Sequence, residues 1–123
     1  MRNRIILGLA FAAALVVACS SNSGGTGPTP NPPGTTDVSM VNTTFQPKDV
    51  TIKVGDSVKW TNNDARPHTS TSGTNGVPDG KWNSGTLQPG ATYTHKFTAA
   101  GTYPYYCTFH YLMGMTGSVK VNP

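Results

Sequence analysis

Cysteine is scarce in this 123-residue chain: there are two, Cys19 and Cys107, so at most one disulfide could close. Clustered charge is lacking as well. Nine Lys and Arg stand against five acidic residues, all of them Asp, and two of the basic ones are Arg2 and Arg4 at the extreme N-terminus. The rest of the chain is near neutral, with Lys48, Lys53, Lys59, Lys81, Lys96 and Lys120 spread singly. A nucleic-acid binder carries a basic patch or stripe; this pattern excludes that class and reads as solvated surface. No apolar run reaches the roughly 20 residues that a spanning helix needs. No helical period is sustained after residue 37, which excludes a helical bundle. The length allows one small domain.

What is present begins with MRNRIILGLAFAAALVVAC, a basic start, an apolar run from Ile5 to Ala18 and small residues before a cysteine. This is the build of an export signal. Its end, Val16-Val17-Ala18-Cys19, resembles the lipobox of bacterial lipoprotein precursors. The resemblance implies removal of residues 1–18 as a signal peptide and acyl chains on Cys19, which would anchor the chain to a membrane in the periplasm or at the cell surface. Several chains matter, because each buried methylene contributes about 0.8 kcal/mol and one chain alone anchors marginally. Cys107 would then have no partner, and a free thiol in an exported protein is expected to be buried or committed to a metal.

Residues 20–36 consist of Ser, Asn, Gly, Thr and Pro alone. With the lipidated cysteine they form an expected linker, 19–36, unable to bury enough apolar surface to order itself. It would reach ~50 Å as polyproline II and ~23 Å as a flexible coil. From residue 37 to 123 the pattern changes to alternation: Val50, Ile52 and Val54 against Thr51 and Lys53, Val58 and Trp60 against Lys59 and Thr61, Val119 and Val121 against Ser118 and Lys120. Such runs, punctuated at Gly55-Asp56, Pro89-Gly90 and Ala100-Gly101, predict an all-β sandwich of about seven to eight short strands in antiparallel sheets. The stretch 69–84, rich in Gly, Ser and Thr, reads as a long irregular excursion.

The nine residues CTFHYLMGM, 107–115, concentrate the chemistry. Parity along 102–107 puts Cys107 on the inner face with Tyr103 and Tyr105, and puts Pro104 and Tyr106 on the outer one, with Pro104 facing outward or at a bulge. Thiolate, imidazole and thioether are soft to borderline donors that favour copper over magnesium or calcium. Structural zinc wants four short bonds from Cys, His or carboxylate, whereas two His and one Cys with a long axial Met is the copper electron-transfer set. Cys107 and His110 supply one His; the other is His68 or His95. His95 lies in mid-strand between Tyr93 and Phe97 and reads as packed. His68 follows the Trp60 strand in a loop that can aim it at a site, and is the choice.

At this point residues 38–122 resemble the cupredoxins, most of all the plastocyanin, pseudoazurin and amicyanin group. Three pieces carry the resemblance: Val54-Gly55-Asp56-Ser57-Val58-Lys59-Trp60-Thr61-Asn62 leading to Pro67-His68, Ala100-Gly101-Thr102-Tyr103 leading into Tyr106-Cys107, and Cys107-x-x-His110 followed by Met115-Thr116-Gly117-Ser118-Val119-Lys120-Val121. It implies a Greek-key β-sandwich holding one type 1 copper on His68, Cys107, His110 and Met115. Met115 is preferred to Met113 because it leads directly into Met-x-Gly-x-Val-x-Val. Thr69 stands where many relatives carry Asn, with its backbone N–H placed to meet the thiolate. The resemblance further implies a one-electron carrier, expected as a monomer, with Phe109, Tyr111, Leu112 and Met113 around His110 as an apolar docking patch for redox partners. Outward-facing Tyr106 reads equally as a second entry point or as an ordinary surface tyrosine. Enzyme activity is not expected, since oxidases and nitrite reductases need further copper centres. A copper-buffering or copper-delivering lipoprotein would use the same ligands, and the lack of Met- or His-rich tracts speaks against it.

Overall fold

The computed structural model describes residues 33–123. The signal segment 1–18, Cys19 and nearly all of the 19–36 linker lie outside the described residues.

Among the described residues there are nine strands: β1 Thr35–Val41, β2 Thr44–Gln46, β3 Asp49–Lys53, β4 Ser57–Asn62, β5 Thr71–Thr74, β6 Val77–Asn83, β7 Thr92–Lys96, β8 Gly101–Tyr106 and β9 Thr116–Asn122, with a 3-10 turn at Tyr111–Met113. They form two sheets, ordered β2-β1-β4-β7 and β3-β9-β8-β5-β6. The sandwich expectation holds, and the count exceeds seven to eight because the stretch 69–84 contains a hairpin. Strand β1 starts at Thr35, which pairs with Ser57, slightly ahead of the change in pattern at residue 37.

The alternating strands bury the face that the pattern assigns to the core. Val50 and Ile52 of β3, Val58 and Trp60 of β4, and Val119 and Val121 of β9 are all buried, joined by Val38, Met40, Phe45, Trp82, Leu87, Phe97 and Tyr105. Trp60 is the hub, stacked on Trp82 at 5.7 Å and meeting Tyr105 edge-on at 5.3 Å. Val54 departs from expectation: β3 ends at Lys53, the chain turns, and Val54 is 43 % exposed.

The sheets are not purely antiparallel. Strands β1 and β4 pair in parallel, as do β3 and β9. The reason is connectivity: β3 lies in the opposite sheet from β1, β2 and β4, so the chain crosses the sandwich twice between β1 and β4 and re-enters the first sheet in the same direction. A crossover through another layer is what a parallel pair requires.

The hairpin β5–β6 escapes period-two reading because its strands bury polar residues: Thr71 and Ser72 are inside, and on β6 only Trp82 is buried. Its turn, however, carries a plain signal. Thr74 pairs with Val77 across Asn75-Gly76, both at positive φ (52° and 76°), the conformation for which Asn-Gly is the favoured pair. Pro104 sits where expected. It pairs with Ser118 of β9, whose N–H turns away to the Lys48 carbonyl, and β5 meets β8 only at Tyr106 and Tyr105, so no partner carbonyl of β5 stands opposite the missing N–H of Pro104.

Candidate metal centre

Three loops gather at one end of the sandwich. The first runs from the end of β4 to β5. Asn62 is fully buried there and completely satisfied: its Nδ2 donates to the carbonyls of Arg66 (2.8 Å) and Leu87 (2.9 Å), and its Oδ1 accepts the Asp64 N–H at 2.9 Å. This folds 63–67 into a compact turn and delivers His68 to a two-way backbone bridge with Leu87, at 3.1 and 2.8 Å. The second loop carries Leu87. The third runs from β8 to β9 and holds Cys107, His110 and Met115.

The third loop is closed by its own backbone. Cys107 N–H donates to the Met115 carbonyl at 3.0 Å, His110 N–H to the Cys107 carbonyl at 3.2 Å, and Met115 N–H to the His110 carbonyl at 3.2 Å. The 3-10 turn Tyr111–Met113 is capped by Gly114 in the left-handed region. The two methionines diverge as a result: Met115 is fully buried in the core, and Met113 projects from the turn, 68 % exposed.

The structure brings His68, Cys107 and His110 together, with ligand atoms within 4.8 Å of one another. The His68 Nδ1 lies 3.1 Å from His110 Nδ1, and Cys107 Sγ lies 3.7 Å from the former and 3.6 Å from the latter. A triangle with these edges has its centre about 2 Å from each corner, close to the nitrogen and sulfur bond lengths of a divalent transition metal. Cys107 and His68 are entirely inaccessible, and His110 is partly exposed. Burial first, then the His68 imidazole and Arg66, hold the His110 pKa below the usual histidine value, which favours the neutral ring that binds metal. One thiolate, two imidazoles and a buried thioether beside them fit copper.

The surrounding hydrogen bonds are those that fix ligands in place. Thr69 N–H donates to Cys107 Sγ at 3.4 Å. The Thr69 hydroxyl accepts the Thr108 N–H at 2.9 Å and lies 3.2 Å from the Thr108 hydroxyl, so threonine ties the two loops together. Thr108 had no signal in the sequence, and neither did the Asp64 carboxylate, 3.1 Å from His68 Nε2.

His95 stays out of the triangle. It pairs with Val58 from β7, stacks on Trp82 at 5.1 Å and meets Phe97 edge-on, and its burial lowers its pKa. Tyr106 corrects the sequence reading: it points away from the core but is only 2 % exposed, because Tyr111 covers it at 5.7 Å. Tyr111 in turn rests on the hairpin tip, where a Cβ on Gly76 would come within 2.6 Å of its ring. Tyr106 is therefore not a surface tyrosine. Around half-buried His110, Phe109, Leu112 and Met113 are exposed, Leu112 by 86 %.

The sequence matches the family model for copper binding proteins of the plastocyanin/azurin family over residues 34–122. It is 45 % identical over 84 residues to the chloroplastic plastocyanin of Tetradesmus obliquus, a match covering 63 % of this chain and 57 % of that protein. It is 37 % identical over 113 residues to amicyanin-alpha of Methylorubrum extorquens, covering 85 % of this chain and 92 % of that one. Among solved structures, a purple cupredoxin from Nitrosopumilus maritimus superposes with a TM-score of 0.65 at 32 % identity, covering 71 % of this chain and 99 % of that one.

Proposed function

The chain belongs to the copper-binding plastocyanin/azurin family, and from that premise we propose that it is an electron carrier whose single copper would be held by His68, Cys107, His110 and Met115. The observation that carries this reading is the triangle of one sulfur and two nitrogens, 3.1 to 3.7 Å on edge, already assembled by the chain's own hydrogen bonds. Bound there, copper would supply one-electron Cu(II)/Cu(I) chemistry, the electron taken from a reduced protein partner and passed to an oxidised one. No bond to carbon or hydrogen is made or broken. Buried Cys107 and His68, the Thr69–Thr108 tie and the closed loop 107–115 leave the donors little freedom to move. Little movement means a small barrier to changing oxidation state.

His110 is the one ligand of the triangle that reaches the surface, and it does so among Phe109, Leu112 and Met113. An exposed apolar patch of this kind suits brief docking with a redox partner. The test is electron self-exchange between oxidised and reduced copies, read from NMR line broadening. Fast exchange is expected, slowed about tenfold or more in Leu112→Glu, where two like charges meet in the encounter. A copper complex that does not exchange electrons would favour copper buffering or delivery instead.

The N-terminal segment supports a place in the cell envelope, with residues 1–18 removed and the domain tethered through acylated Cys19 and the linker 19–36. In a bacterial host, Cys19→Ser would release the protein from the membrane fraction; retention there would contradict acylation as the anchor.

A further inference from the structure

The Asp64 carboxylate is placed with more care than a loop aspartate needs. On one side the β1–β2 turn holds Asn42 and Thr43 at φ 52° and 59°, a left-handed pair in which the β-branched Thr43 is strained. That conformation turns the Thr43 N–H onto Asp64 Oδ2 at 3.0 Å. On the other side, Asn62 Oδ1 accepts the Asp64 N–H, Asp64 Oδ1 accepts the Ala65 N–H at 2.9 Å, and Asn63 N–H donates to the Met40 carbonyl at 2.9 Å. The same Oδ2 lies 3.1 Å from Nε2 of fully buried His68. Both carboxylate oxygens therefore already accept a backbone N–H, Oδ2 from Thr43 and Oδ1 from Ala65, before His68 is counted.

We propose that Asp64 is a positioning residue for the metal centre, fixing the tautomer of His68 and setting the copper potential through its charge. An ionised carboxylate can only accept, so its partner must be an Nε2–H. That leaves the Nδ1 lone pair aimed at His110 and Cys107, the orientation that a metal requires. A negative charge one imidazole away raises the basicity of the ligand and stabilises the more positive oxidation state. The strained β1–β2 turn is therefore tied to the copper through a chain of two hydrogen bonds, Thr43 to Asp64 to His68.

This rests on His68 being a ligand, and two measurements keep the claims apart. In the metal-free chain, nitrogen-15 NMR of labelled histidine should show His68 protonated at Nε2 and bare at Nδ1, with Asp64→Ala populating the other tautomer. This needs no copper. In the loaded protein, Asp64→Asn keeps an oxygen acceptor and removes the charge. It is expected to shift the preference from Cu(II) towards Cu(I) about tenfold, raising the potential by about 59 mV for one electron. Asp37→Asn removes the same charge from an exposed site beside Lys59 and should move the potential far less. A His68 protonated at Nδ1 in the unaltered metal-free chain, or equal shifts from Asp64→Asn and Asp37→Asn, would overturn the proposal.

Discussion

Met113 and Met115 are separated by one glycine and live in different media, one in solvent and one in the core. Met115→Ala removes a buried thioether, so it should cost about 2–5 kcal/mol of stability and move the copper spectrum and potential strongly. Met113→Ala should stay within about 0.5 kcal/mol and change the spectrum little. Denaturant titration and the visible spectrum of the two variants check this, and the reverse pattern would reassign the axial ligand. At this scale the residues of the candidate site were legible because their chemistry is rare: few residue sets besides Cys, His and Met prefer copper, and His68 stood apart from His95 by lying in a loop. The residues that hold the ligands were not legible. Asp64, Thr43 and Thr108 are ordinary turn and strand-end residues whose partners lie 4, 21 and 39 positions away, so only the fold reveals the pairing. Tyr106 was misjudged for a related reason. Parity says which face a side chain leaves from, not whether Tyr111 and a hairpin tip close over it.

Strand β9 shows why the Met-x-Gly-x-Val-x-Val pattern contains its glycine. A Cβ on Gly117 would strike the Lys48 carbonyl and come within 2.6 Å of the Tyr105 ring, which lies across the strand and is itself boxed in by Phe45 and Trp60. Neither the backbone of the residue before β3 nor a buried ring can yield cheaply. Gly117→Ala is therefore expected to lower stability by about 1–3 kcal/mol, measured by thermal or denaturant unfolding, with an unchanged midpoint contradicting this packing account. Alternating strands such as β3, β4 and β9 were readable from valine and tryptophan positions because one face is apolar. The β5–β6 hairpin was not, since Ser70 and Ser72 are buried there to hydrogen-bond Trp82 and leave no apolar rhythm. Its Asn75-Gly76 turn was the signal available. Parallel pairing of β1 with β4 and β3 with β9 is set by crossings between sheets, which no local pattern encodes.

Across the whole domain the two ends differ. One end is closed by short backbone bonds, Gly55 N–H to the Phe97 carbonyl and Val54 N–H to the Asn122 carbonyl. The other gathers the metal donors, the Asp64 clamp and the apolar patch, so the sandwich works as a rigid holder for three loops. Scattered lysines give the domain no strong steering field, so on the proposed reading a redox partner would be chosen by the patch around His110. All of this depends on a thiolate–copper bond at Cys107, and the visible absorption spectrum of the copper-loaded protein tests that bond most directly. An intense charge-transfer band is expected in the Cu(II) form, vanishing on reduction and absent in Cys107→Ser. A colourless Cu(II) complex, or the same band in the Cys107→Ser variant, would contradict the account.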